Sequence, residues 1–322
     1  MDNNEKQPFA AVLSAVFDAE SISVPFLFRF SDMLPDEQAQ FDTRWPKLNP
    51  TRRYEIMQHL ADVSEDNFAV DFGPVFALGL QDEDAAVRKA ALDGLWDNEN
   101  VKMVRPIMRL MQTDPNLEVR ATAAQSLAHY VLLGEWGRIA DTVKNDIIDA
   151  LLVEYRSLEN DLLLRCAALE ALGAADHDDV PDLIANAYDK GDVALQASAL
   201  FAMGTSADSR WIGIVLDEME SPYVEMRLQA VRAAGGIGDS EAVDMLSELA
   251  FDEDTEVRIE AILSLGRIGN SRALQILNQF ADDDEMADLH EFIDEALEIS
   301  AASDVDFLNF DLDLDDDDFD DE

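Results

Sequence analysis

Apolar positions along this chain return in one frame. In Asp254–Gly269 (DTEVRIEAILSLGRIG), Val257, Ala261, Leu265 and Ile268 stand 4, 4 and 3 residues apart. That spacing lines one face of an α-helix. The frame recurs as Met226, Ala230, Ala234 and Ile237, then as Leu195, Ala199 and Met203, and as Leu164, Ala168 and Leu172. It recurs again as Val119, Ala123 and Leu127, and as Val87, Ala91 and Leu95. The residue after the first apolar anchor falls at 88, 120, 165, 196, 227 and 258, so the steps are 32, 45, 31, 31 and 31. A fixed period near 31 predicts a helical solenoid. The middle anchor is always alanine, small enough for a neighbouring helix to approach closely. Gly173, Gly204, Gly235 and Gly266 follow the third apolar anchor of their frames by one residue, which suits close packing or a helix end.

A second apolar segment precedes each of these helices, as in Asp179–Tyr188, Ala242–Ala250 and Ser271–Ala281. Asp84, Asn116, Asp161, Asp192 and Asp254 stand four residues before Arg88, Arg120, Arg165, Gln196 and Arg258, where a helix N-cap belongs. The unit is therefore helix–turn–helix. One pair cannot bury its apolar face alone, whereas stacked pairs share a core.

The pattern resembles the HEAT-repeat family, in its short bacterial and archaeal form known from phycobilisome lyases. The resemblance is carried by Asp252 with Glu256-Val257-Arg258 and Ala261, by Asp114 with Glu118-Val119-Arg120 and Ala123, and by Asp82 with Val87-Arg88 and Ala91. It implies an all-α, right-handed α-α superhelix of about seven helix pairs. It further implies a structural ladder from the Asp and the Arg six residues later: Asp82/Arg88, Asp114/Arg120 and Asp252/Arg258. The ladder weakens in the middle of the chain, where the positions read Glu159/Arg165, Lys190/Gln196 and Ser221/Arg227. The expected organisation is a capping segment over residues 1–48, a repeat body over 49–299 and a disordered acidic tail over 300–322.

Within the cap, Phe26, Phe28, Phe30 and Trp45 either seal the solenoid end or serve as interface anchors. The step of 45 locates an insertion in His129–Asn145, broken at Gly134–Gly137. Insertions map to loops, often on a binding face, and Trp136 is the candidate contact there. The tail interleaves Phe307, Phe310, Leu312 and Leu314 with aspartates. It reads either as a solubilising run or as an extended peptide for a partner groove.

Charge narrows the function. The chain has 69 acidic and 23 basic residues, a formal net charge of −46. Such a body repels a phosphate backbone, so no direct nucleic-acid grip is expected; a basic protein partner is. The lone Cys166 lies on a repeat helix and reads as a core residue. The opening residues form no apolar leader and no run is long enough to span a membrane, so a soluble cytoplasmic protein is expected.

No catalytic constellation emerges. The four histidines form no HExxH or His/Cys pair at ligand spacing. The HEAT-like di-iron hydroxylases use repeated His-Glu pairs, and here there is only His290-Glu291. Asp311, Asp313, Asp315 and Glu322 share the spacing of a calcium loop, but Asp316 stands where that loop needs glycine. The reading is a non-enzymatic protein–protein scaffold with no cofactor and no metal. The alternatives are a HEAT-like lyase or metal-dependent enzyme, and an acidic mimic that occupies basic nucleic-acid-binding proteins.

Overall fold

Side-chain oxygens start the repeat helices. Asp84 accepts hydrogen bonds from the N–H groups of Ala86 and Val87, Asn116 from Val119, Asp161 from Leu163, Asp192 from Leu195, and Asp254 from Glu256 and Val257. Each satisfies donors that the first helical turn leaves free. These helices belong to a computed structural model that describes residues 7–67 and 69–313. The described residues are all-α, and the chain divides into two compact units, 1–172 and 173–322.

The first unit opens with α1 (Phe9–Phe17), α2 (Val24–Leu27) and α3 (Pro35–Arg44), followed by α4 (Pro50–Asp66). Phe17, Phe30, Phe41 and Trp45 form one aromatic cluster, with Phe41 stacked on Trp45 at 5.4 Å. Phe30 and Trp45 are therefore core, whereas Phe28 is 41% exposed. The buried Arg52 guanidinium of α4 donates to the carbonyls of Val16 and Ala19 and pins this segment to the first repeat helix.

Three helix pairs follow in the same unit: α5 (Gly73–Gly79) with α6 (Ala85–Asp93), α7 (Val104–Thr113) with α8 (Leu117–Glu135), and α9 (Asp141–Arg156) with α10 (Leu162–Leu172). The second helices pack on one another in sequence, α4 on α6, α6 on α8 and α8 on α10. The anchors of the frame fill the interior: Val87, Ala91, Leu95, Val119, Ala123, Leu127, Leu164, Ala168 and Leu172 are all buried.

The second unit holds four pairs: α11 (Val180–Lys190) with α12 (Val193–Thr205), α13 (Ile212–Met219) with α14 (Val224–Ile237), α15 (Val243–Leu249) with α16 (Thr255–Ile268), and α17 (Ser271–Ala281) with α18 (His290–Asp313). Again the second helices form the tight row, α12 on α14, α14 on α16 and α16 on α18. Glycine sets that closeness. A Cβ on Gly173 would lie 2.8 Å from Ala202 Cα, one on Gly204 2.6 Å from Ala233 Cα, and one on Gly266 2.5 Å from the Ala296 carbonyl oxygen. Among the described residues the two units thus hold the expected seven helix pairs, three and four, in an all-helical, HEAT-like α-α fold. The last helix continues to Asp313, past the boundary at 299, with neither Gly nor Pro between 290 and 313 to stop it.

Candidate functional site

The arginines after the first anchors reach forward to the next repeat. Arg88 Nε and Nη2 donate to Asp114 at 2.7 and 2.8 Å, while Arg88 Nη1 donates to the backbone carbonyl of Asp82 at 2.8 Å. The Asp82 carboxylate is held instead by Arg53, whose Nε lies 2.7 Å from Asp82 Oδ2. In the second unit Arg227 grips Asp252 at 3.0 and 2.9 Å and the Ser221 carbonyl at 2.9 Å. Each acid also receives a backbone N–H two residues on: Asp82 from Asp84, Asp114 from Asn116, Asp252 from Asp254. One carboxylate thus fixes its own turn and the repeat before it.

Arg120 departs from this scheme because the insertion displaces the next repeat. It bonds Glu154 at 3.1 Å and the carbonyl of Met111, and does not reach Asp114. Arg258 lies 3.8 Å from Asp288, an exposed carboxylate. Arg165 sits over the Tyr155 ring and donates to the Tyr155 carbonyl. Within the second unit Gln196 donates to the Tyr188 carbonyl, where other repeats use arginine. Sequence reading missed Arg53, Glu154 and Asp288, because the spacing from arginine to acid changes with each inter-repeat turn.

Burial sharpens these pairs. Side-chain exposure is 3% and 4% for Arg53 and Asp82, 9% and 3% for Arg88 and Asp114, and 9% and 8% for Arg227 and Asp252. Desolvation pushes the Asp252 pKa up, but the hydrogen bonds from Arg227 and the Asp254 N–H, with the Arg227 charge, outweigh it and leave the pKa below the ordinary value. These pairs are sealed within the stack and serve rigidity.

The exposed features lie elsewhere. Helix α8 runs to Glu135, and Gly137 takes a left-handed φ of 71° that turns the chain toward α9. Trp136 caps α8 and is 64% exposed. Arg138 beside it pairs with Glu99 of the α6–α7 connection at 2.7 Å. The loop is therefore fixed at both flanks with its indole outward. Nearby, burial lowers the His129 pKa, and His129 Nε2 is buried with no hydrogen-bond partner.

On the α14 and α16 surfaces, Glu260 is nearly buried and receives Arg267 at 2.6 Å and Arg232 at 3.5 Å. Leu228 and Ile259 line the shallow cleft beside it. Nothing in the period marked this cluster, because its residues differ between repeats. Phe307, Phe310 and Leu312 fall in the last turns of α18, where side chains are not described, and Leu314 lies outside the described residues. Cys166 is buried. Among the described residues no three His, Cys, Asp or Glu side chains are grouped to hold a metal ion, and no helix is long and apolar enough to cross a membrane.

Residues 212–297 match the family model for HEAT repeats. No curated protein sequence matches this chain significantly. Among solved structures, the chain is similar to the complex of CpcE and CpcF of phycocyanin lyase from Nostoc sp. PCC7120, at 18% identity and a TM-score of 0.57, over 84% of this chain and 96% of that one. It is also similar to Escherichia coli YibA, at 16% identity and a TM-score of 0.41, over 77% of this chain and 96% of that one. Human deoxyhypusine hydroxylase in complex with glycerol is similar at 17% identity and a TM-score of 0.31, over 91% and 96%. At such identities the likeness to the Nostoc complex concerns fold alone.

Proposed function

We propose that this chain, a HEAT-like repeat protein, is a protein–protein interaction scaffold with no chemistry of its own, and that Trp136 anchors a partner on the first unit. The observation that carries the reading is the insertion loop. It is the largest departure from the period, it is clamped by the Arg138–Glu99 pair, and it holds an indole 64% exposed. Aromatic side chains held rigidly outward are the residues that dominate interface energies. The buried ion pairs below it keep neighbouring repeats in register, so a partner meets a preformed surface at small ordering cost.

The partner surface expected is basic around an apolar pocket for the indole, since the chain carries −46. Affinity capture from native lysate with the full chain and with Trp136→Ala tests this. The expected result is a specific partner retained by the native chain, lost with the variant, and released earlier as salt rises. Equal capture by both sinks the Trp136 assignment. An iron, zinc or chromophore stoichiometrically bound to the purified chain overturns the scaffold reading itself.

A further inference from the structure

One stretch reverses the polarity of the chain. Residues 101–113 (VKMVRPIMRLMQT) carry three cations and no acid, in a chain with three acids for every base. Lys102, in the 3₁₀ turn before α7, and Arg105 and Arg109 on α7 are all exposed. Their spacing of three and four residues aligns them on one helical face. None of the three forms an ion pair among the described residues, whereas most other arginines do, Arg53, Arg88, Arg120, Arg227 and Arg267 among them. Helix α5 of the preceding pair contributes no charge at all (GPVFALG).

Beside this ridge lies a groove of about 440 Å³ between α7 and α9. Val101, Met108 and Val143 give it an apolar floor, Lys102 and Arg105 one rim, and Asp146 the other side. Val101 is 40% exposed there. Two unpaired cations on the groove, Lys102 and Arg105, with Arg109 one turn further along α7, match a ligand that alternates carboxylates with aliphatic or aromatic side chains.

The chain itself carries such a segment. Residues 303–322 hold 11 acids and no base, interleaved with Phe307, Leu308, Phe310, Leu312, Leu314 and Phe319. We propose that the α7–α9 groove receives the C-terminal acidic segment of a second copy of this chain. The spacings agree. Arg105 and Arg109 are separated by about 6 Å along the helix axis. Alternate residues of an extended peptide, such as Asp316, Asp318 and Asp320 in the stretch that follows α18, repeat every ~6.6 Å. Leu314 and Phe319 of the same stretch supply apolar groups for the floor of Val101, Met108 and Val143. The nine residues 314–322 alone span about 30 Å when extended, longer than the ~10 Å from Lys102 to Arg109. Contact through an arm leaves the two acidic bodies apart. At physiological salt the field of each decays over about 8 Å, so the local pairing governs. The groove is distinct from the Trp136 loop, and the two proposals stand or fall separately.

Zero-length carbodiimide coupling on the full chain tests this, because Lys102 and the tail carboxylates are the groups that such a reagent joins. Unlabelled and ¹⁵N-labelled chains are mixed in equal amounts, coupled and mapped by mass spectrometry. The expected product joins Lys102 to a carboxylate within residues 304–322, with half of the joined peptides carrying one label each. Arg105→Glu with Arg109→Glu should cut its yield on the order of tenfold, given two exposed ion pairs turned into repulsions. Asp316→Asn, Asp318→Asn and Asp320→Asn together, which lie past the end of α18, should abolish the concentration-dependent association that the proposal expects in sedimentation. Absence of the Lys102 product, joining only within one isotope, or a yield indifferent to charge reversal overturns the proposal.

Discussion

Replacing Gly204 with alanine probes the closeness of the second-helix row directly. The added Cβ would sit 2.6 Å from Ala233 Cα and 3.1 Å from Ala233 Cβ. Carbon atoms at rest stand ~3.5–4.0 Å apart, so α12 and α14 must part by about 1 Å. The nearest atom is backbone, which has no rotamer by which to yield. Gly236 of α14 makes the reciprocal approach, its Cβ site 2.6 Å from the Gly204 carbonyl oxygen. Overpacking of this kind costs roughly 1–3 kcal/mol. The better helix propensity of alanine returns about 1 kcal/mol. A net loss of up to ~2 kcal/mol follows, or up to roughly 8 °C in melting temperature for a unit of this size. Gly213 is the internal control, with no atom within 4 Å of its Cβ site. Gly213→Ala should be neutral or stabilising by up to ~1 kcal/mol. Thermal and urea unfolding followed by circular dichroism give both numbers. Gly204→Ala melting at or above the native chain, or the two variants moving together, would refute the close-packing account.

Other outcomes follow from the same geometry. Asp252→Asn strands the Arg227 guanidinium in a nearly closed site and should cost about 3–5 kcal/mol, read as a shift in urea midpoint at pH 7. Because the folded pKa of Asp252 is depressed, the stability it contributes is present above its unfolded pKa near 4 and is lost as pH falls through the folded value. The gap between native and variant should therefore close toward pH 3. His129 follows the same sign at higher pH: burial lowers its pKa, so its contribution is fully present above the unfolded pKa near ~6.5 and is lost as pH falls below that toward the folded value. His129→Gln should flatten that part of the melting profile between pH 8 and pH 5. Trp136→Ala should change stability by less than about 0.5 kcal/mol, as surface substitutions do, so that any lost partner binding reads as contact rather than unfolding.

The repeat architecture was legible because it rests on local rules. Spacing of 4, 4 and 3 makes a helix face, an Asp or Asn three residues before the first anchor caps it, and alanine at the centre admits a neighbour. Val257, Ala261 and Leu265 are buried as that frame requires, and the seven pairs follow from the period. What the tertiary structure decided was which groups meet. Arg88 bonds the carboxylate of Asp114 and only the carbonyl of Asp82, because stacking brings the next turn nearer than the residue's own acid. The separation between partners runs from 25 for Arg227 and Asp252 to 34 for Arg120 and Glu154, so no fixed register foretells it. Exposure was equally hidden. Trp45 and Trp136 are the same residue type on short connections, yet one packs on Phe41 and the other faces solvent. The unpaired ridge of Lys102, Arg105 and Arg109 was present in the letters, but only the packing of α7 against α9 turned it into the rim of a groove. Helix identity depends on neighbours a few residues away, whereas pairing, burial and surface depend on segments that only folding brings together.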